Sequence, residues 1–153
     1  MKKKMLIAGA VGAAFVGGTL FGQLPGALAG HTQPILDARL FGSQEVPGPG
    51  DPDGRGTAVV FGVDDQPDTV CYVVRVTRIQ LGTTTEISAH IHEAPRGEAG
   101  DVVAALAPPT DGDSAGCVVT EEAQDILTNP NEYYVNVHNP EYPAGAVRGQ
   151  LNG

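Results

Sequence analysis

Ser88-Ala89-His90-Ile91-His92-Glu93 decides how the chain is read, because apolar and imidazole side chains alternate in it with a period of two. That period belongs to a β-strand, whose successive side chains point to opposite faces. Taken back to Glu86, the stretch sends Ile87, Ala89 and Ile91 toward a core, and Ser88, His90 and His92 to the other face. Tyr133-Tyr134-Val135-Asn136-Val137-His138 has the same form, with Tyr133, Val135 and Val137 inward and Tyr134, Asn136 and His138 outward. Three of the chain's four histidines therefore lie on the outward faces of two predicted strands.

The segments around these two are also short and strand-like. Residues 34–40, 56–63, 101–106, 117–119 and 146–151 are β-rich runs separated by Gly, Pro, Asp and Asn. The clearest is 69–81, with Val70, Tyr72, Val74 and Val76 on one face and Cys71, Val73, Arg75 and Thr77 on the other. Helix is expected only near 120–128, where Thr120 offers an N-cap and acids occupy the first turn. Strand-helix-strand alternation is missing. The pattern therefore predicts an all-β, antiparallel, Greek-key-like β-sandwich or barrel with one short helix.

The chain's 153 residues make one domain with a proper core. Its first thirty residues differ from the rest: Lys2, Lys3 and Lys4, then an apolar Gly/Ala-rich run, then Ala27-Leu28-Ala29. Residues 1–29 read as a secretory signal with Gly30 as the mature N-terminus, which predicts a secreted or extracytoplasmic protein. An uncleaved N-terminal anchor is the alternative. Beyond the signal there are six arginines and eighteen acidic residues, a net charge of −12. Such a surface argues against nucleic acid and against anionic membranes as partners. Cys71 and Cys117 are the only cysteines, and an even pair in an exported chain reads as one disulfide.

The chemistry suggested by the histidines is metal binding. If the two histidine strands are neighbours, facing side chains come within about 5 Å, and His90, His92 and His138 can converge. Three imidazoles with an open position suit copper first and zinc second in a compartment without competing thiols. Asn136, Glu93, Tyr134 and Glu141 are the candidates to orient them. The competing reading is three solvated histidines on an outer sheet face. Asp111, Asp113, Gly116 and Glu122 have nearly the spacing of a calcium loop, but Ala115 takes a ligand position and Pro108-Pro109 denies it an entering helix. No serine stands in a nucleophile-elbow setting.

Four motifs together carry a family resemblance: Gly42-Ser43-Gln44-Glu45-Val46-Pro47, Ala89-His90-Ile91-His92, Tyr134-Val135-Asn136-Val137-His138, and Tyr142-Pro143-Ala144-Gly145-Ala146-Val147-Arg148-Gly149-Gln150-Leu151. In order and spacing this closely resembles the CHRD (chordin) domain over 35–151, within a mature chain of 30–153. That family implies a secreted β-rich domain, found as repeats in the morphogen-binding protein chordin and as single domains in bacteria. More loosely, His90, His92 and His138 resemble the copper half of Cu/Zn superoxide dismutase, where a late arginine, here Arg148, guides substrate. No histidine matches the bridging ligand, and an ion pair is the plainer role for Arg148. Two functions follow as expectations. One is a copper-binding domain with dismutase-like redox activity. The other is a non-enzymatic module, free of metal, that binds an extracellular protein or a cell-surface component.

Overall fold

The computed structural model describes residues 32–153, so the expected signal at 1–29 and His31 lie outside the described residues. Eight strands form one antiparallel sheet: β1 (Ile35–Phe41), β2 (Arg55–Val63), β3 (Gln66–Thr77), β4 (Ser88–Glu93), β5 (Asp101–Leu106), β6 (Asp113–Val119), β7 (Tyr133–His138) and β8 (Val147–Gln150). Their order is β5-β4-β7-β8-β1-β2-β3-β6. The links β3 to β4 and β6 to β7 cross between distant positions in that order, as a Greek key requires.

The end strands β5 and β6 also approach each other, so the sheet nearly closes into a barrel. Side chains tie this seam. The Thr120 hydroxyl donates to the Val103 carbonyl (2.9 Å), and the Tyr72 hydroxyl accepts from the Ala107 amide (2.7 Å). Closure of this kind covers strand edges that would otherwise offer unpaired backbone groups.

The predicted parity holds. Val70, Tyr72, Val74 and Val76 of β3, Ala89 and Ile91 of β4, and Tyr133, Val135 and Val137 of β7 all enter the core. The core side of a strand is apolar because burial of a Val or Ile side chain contributes about 1.5–3 kcal/mol. Cys71 and Cys117 face each other in the β3–β6 register and form the disulfide.

Two local expectations shift. The helix α1 runs Ala123–Thr128, beginning after Thr120, whose hydroxyl is taken by Val103 and by Glu122. Residues 113–116, expected as loop, belong to β6, where Ser114 and Gly116 pair with Val74 and Tyr72. Among the described residues no helix is long and apolar enough to cross a membrane.

Candidate metal centre

β4 and β7 are direct neighbours, with His90 opposite Asn136, His92 opposite Tyr134, and Ser88 opposite His138. His138 thus sits diagonal to His90, one side-chain step further along the same face. The three rings close into a triangle with centroid separations of 5.6 Å (His90–His92), 5.2 Å (His90–His138) and 6.2 Å (His92–His138). Each offers one ring nitrogen, and those nitrogens lie within 4.8 Å of one another. Among the described residues this is the cluster of its kind.

Backbone carbonyls aim two of the rings. His92 Nδ1–H donates to the Gly100 carbonyl at 3.0 Å, and His138 Nδ1–H donates to the Pro143 carbonyl at 3.2 Å. A carbonyl can only accept, so each bond selects the tautomer that leaves Nε2 with a lone pair. Those Nε2 atoms, together with His90 Nδ1, are buried and have no hydrogen-bond partner. An unpartnered buried polar atom normally costs about 1–3 kcal/mol. Three histidines that each keep such an atom, and whose ring nitrogens cluster within 4.8 Å, suit an ion that would engage their lone pairs.

The electrostatics keep those lone pairs available. Burial pushes His90 down to about 4, helped by the neighbouring His138 and His92. Burial also lowers His92 and His138, against the opposing pull of their carbonyl partners. All three are neutral at pH 7, the state a metal requires.

Of the residues expected to orient the histidines, Tyr134 touches one, while Asn136 bonds to Glu45 rather than to a histidine. Tyr134 stacks on His92, with centroids 4.8 Å apart and planes 7° from parallel, and its hydroxyl accepts from the Gly100 amide at 3.2 Å. Asn136 donates to Glu45 Oε2 at 3.0 Å. Glu93 and Glu141 do not join them. Strand alternation turns Glu93 away from His92, and both carboxylates are exposed without a hydrogen bond to any histidine.

Arg148 also departs from expectation. It is only 2 % exposed rather than a surface ion pair, and it donates to the Glu98 (2.6 Å) and Pro95 (3.2 Å) carbonyls. Its guanidinium carbon lies 3.4 Å from the Tyr134 ring centre, so Tyr134 is held between His92 on β4 and Arg148 on β8.

Sequence reasoning missed three contributors. Glu45 is a buried carboxyl pushed up to about 7, chiefly by burial, with Asn136 and Arg148 pulling it back. Gly100 supplies both a carbonyl to His92 and an amide to Tyr134, and any side chain there would run into the Glu93 carbonyl. Pro143 supplies its carbonyl to His138. Glu45 and Pro143 each stand in a motif singled out in the sequence, while Gly100 stands in none. Tyr134→Phe should keep the stack but leave the Gly100 amide unpaired, costing about 1 kcal/mol in denaturant unfolding. An unchanged midpoint would show that the hydroxyl holds nothing.

An antiparallel, nearly closed β-domain with a three-histidine cluster on its outer face is therefore the class of protein defined by fold and site. The CHRD domain family model matches residues 36–151, and the chain belongs to that family. No curated protein and no solved structure matches the chain.

Proposed function

We propose that this CHRD domain binds one metal ion through His90, His92 and His138, copper before zinc, and that it does so outside the cytoplasm. The observation that carries the reading is the clustering of three histidines, each with a buried, unpartnered ring nitrogen. Metal–nitrogen bonds of about 2.0–2.1 Å place ligand nitrogens about 3.3–4.1 Å apart. The ring nitrogens, within 4.8 Å of one another, would draw closer to that range on binding. The Cys71–Cys117 bridge supports the exported setting, since such bonds persist in oxidising compartments.

Copper in such a site supplies one-electron exchange, which makes a superoxide-dismutase-like activity the finer form of the proposal. The chain's own part is to hold neutral imidazoles, fix two tautomers through Gly100 and Pro143, and back His92 with the Tyr134–Arg148 stack. Copper(II) and zinc titration of the mature chain, followed through the imidazole proton resonances, tests the binding. The resonances of all three histidines should move together and stop at one equivalent with zinc, and broaden together with copper. Movement of only one or two of them, or no saturation, would overturn the site.

A further inference from the structure

Glu45 does more than support Asn136. It is 8 % exposed, and while Oε2 accepts from Asn136, Oε1 is buried with no partner. The fold makes room for this carboxyl. A Cβ on Gly50 would lie 2.7 Å from Glu45 Cγ, and one on Gly145 would lie 2.7 Å from Oε1. Gly145 has a φ of +146°, so its backbone independently disfavours a side chain.

Gly145 and Glu45 both line a cleft of about 160 Å³ between residues 46–49 and 141–145. Its walls are Pro47, Pro49, Tyr142 and Pro143, and Glu141 adds a second carboxylate. No arginine lines it. The nearby Arg148 spends its bonds on the Glu98 and Pro95 carbonyls rather than on Glu45. Acids gather at the Tyr142 wall, whose hydroxyl is pushed up by burial first and then by Glu141, Asp51 and Asp53, while Arg148 acts on Glu45 from the other side.

A slot walled by Tyr142 and prolines, lined by a carboxyl with an unpaired oxygen and set in a strongly acidic domain, has a complementary ligand. We propose that this cleft takes a lysine or arginine side chain of a partner protein, its cationic head on Glu45 Oε1 and its alkyl stem along Tyr142 and the prolines. The volume is that of one long side chain, well below the 300 Å³ and more of typical small-molecule pockets. Long cationic side chains bury their stems against apolar surface, and a cation also gains from an aromatic face. The site does not depend on metal binding, although Pro143 belongs to both the cleft and the His138 hydrogen bond.

The test titrates the mature chain with acetyl-Gly-Lys-Gly-amide, its arginine counterpart and its norleucine counterpart, followed by amide shifts. The two cationic peptides should shift residues 46–48 and 141–145 saturably, and norleucine should bind about tenfold more weakly, as expected for a charge-assisted hydrogen bond. Glu45→Gln should reduce lysine-peptide affinity about tenfold with the far-UV spectrum unchanged. Glu141→Gln, on the exposed rim, should reduce it by a smaller factor that added salt removes. Equal binding of norleucine, shifts elsewhere on the surface, or indifference to both variants would overturn the proposal. If Glu45→Gln fails to fold, the norleucine comparison and Glu141→Gln decide it.

Discussion

The His90→Ala, His92→Ala double variant should bind zinc and copper more than about 100-fold more weakly than the parent chain. Loss of a residue that merely orients a ligand typically costs 10–100-fold, and this change removes two of three ligands. The fold should survive it. Both side chains leave the face of β4 opposite Ala89 and Ile91, so no core contact is lost. What disappears is the His92–Tyr134 stack, worth about 0.5–1.5 kcal/mol, and the His92 hydrogen bond to the Gly100 carbonyl, worth about 1 kcal/mol. Against that, two buried nitrogens without partners are removed. The metal-free stability should therefore change by less than about 1 kcal/mol. Calorimetric affinity and thermal unfolding of the metal-free chain check both halves. Unchanged affinity would refute the site. A large fall in stability with unchanged affinity would instead show that the histidines serve packing.

Much of this site was legible because strands write their faces into sequence. The alternation in 86–93 and 133–138 specified which side each histidine occupies, and only the adjacency of β4 and β7 had to come from the structure. The same logic located Tyr134 and Asn136. Glu93 is the exception: it follows His92 in the chain, and strand alternation turns it to the other face. Asp113-Ser114-Ala115-Gly116 was opaque for another reason. Small polar residues and glycine have low strand preference of their own, and they become strand here because β3 supplies the partner. Thr120 does accept from the Glu122 amide at 3.4 Å, as a cap would, but its hydroxyl donates across the seam to Val103 and α1 begins three residues on. Gly100 and Pro143 act through backbone carbonyls, which every residue possesses, so nothing in their identity announces the role. Glu45 is buried by Gly50 and Gly145, far apart in sequence, and that cradle exists only once the loops have met.

Glu45→Gln should also change how stability depends on pH, because the buried acid and the buried bases pull in opposite directions. Glu45 rises from an ordinary 4.5 to about 7 in the fold, so the folded chain holds its proton more tightly than the unfolded chain does. Its contribution is full below about 4.5, declines as pH rises through the window to about 7, and is lost above it. His90 falls from 6.5 to about 4, so its contribution is present above about 6.5 and is lost as pH drops toward 4. Each shift corresponds to roughly 2–3 kcal/mol once partial solvent access is allowed for. Between about 4.5 and 6.5 these two slopes oppose each other, so the metal-free parent should lose stability toward acid less steeply than its histidines alone dictate. His92 and His138, lowered in the same direction as His90, add to the loss on the acid side. Glutamine cannot ionise, so the variant should gain about 2 kcal/mol relative to the parent between pH 5 and pH 8. It should also fall steeply from pH 6.5 to pH 4, exposing the histidine titration that Glu45 masks. Urea unfolding of both chains across that range measures it. Parallel profiles would mean that Glu45 is ionised in the fold throughout, with the Arg148 charge outweighing its burial.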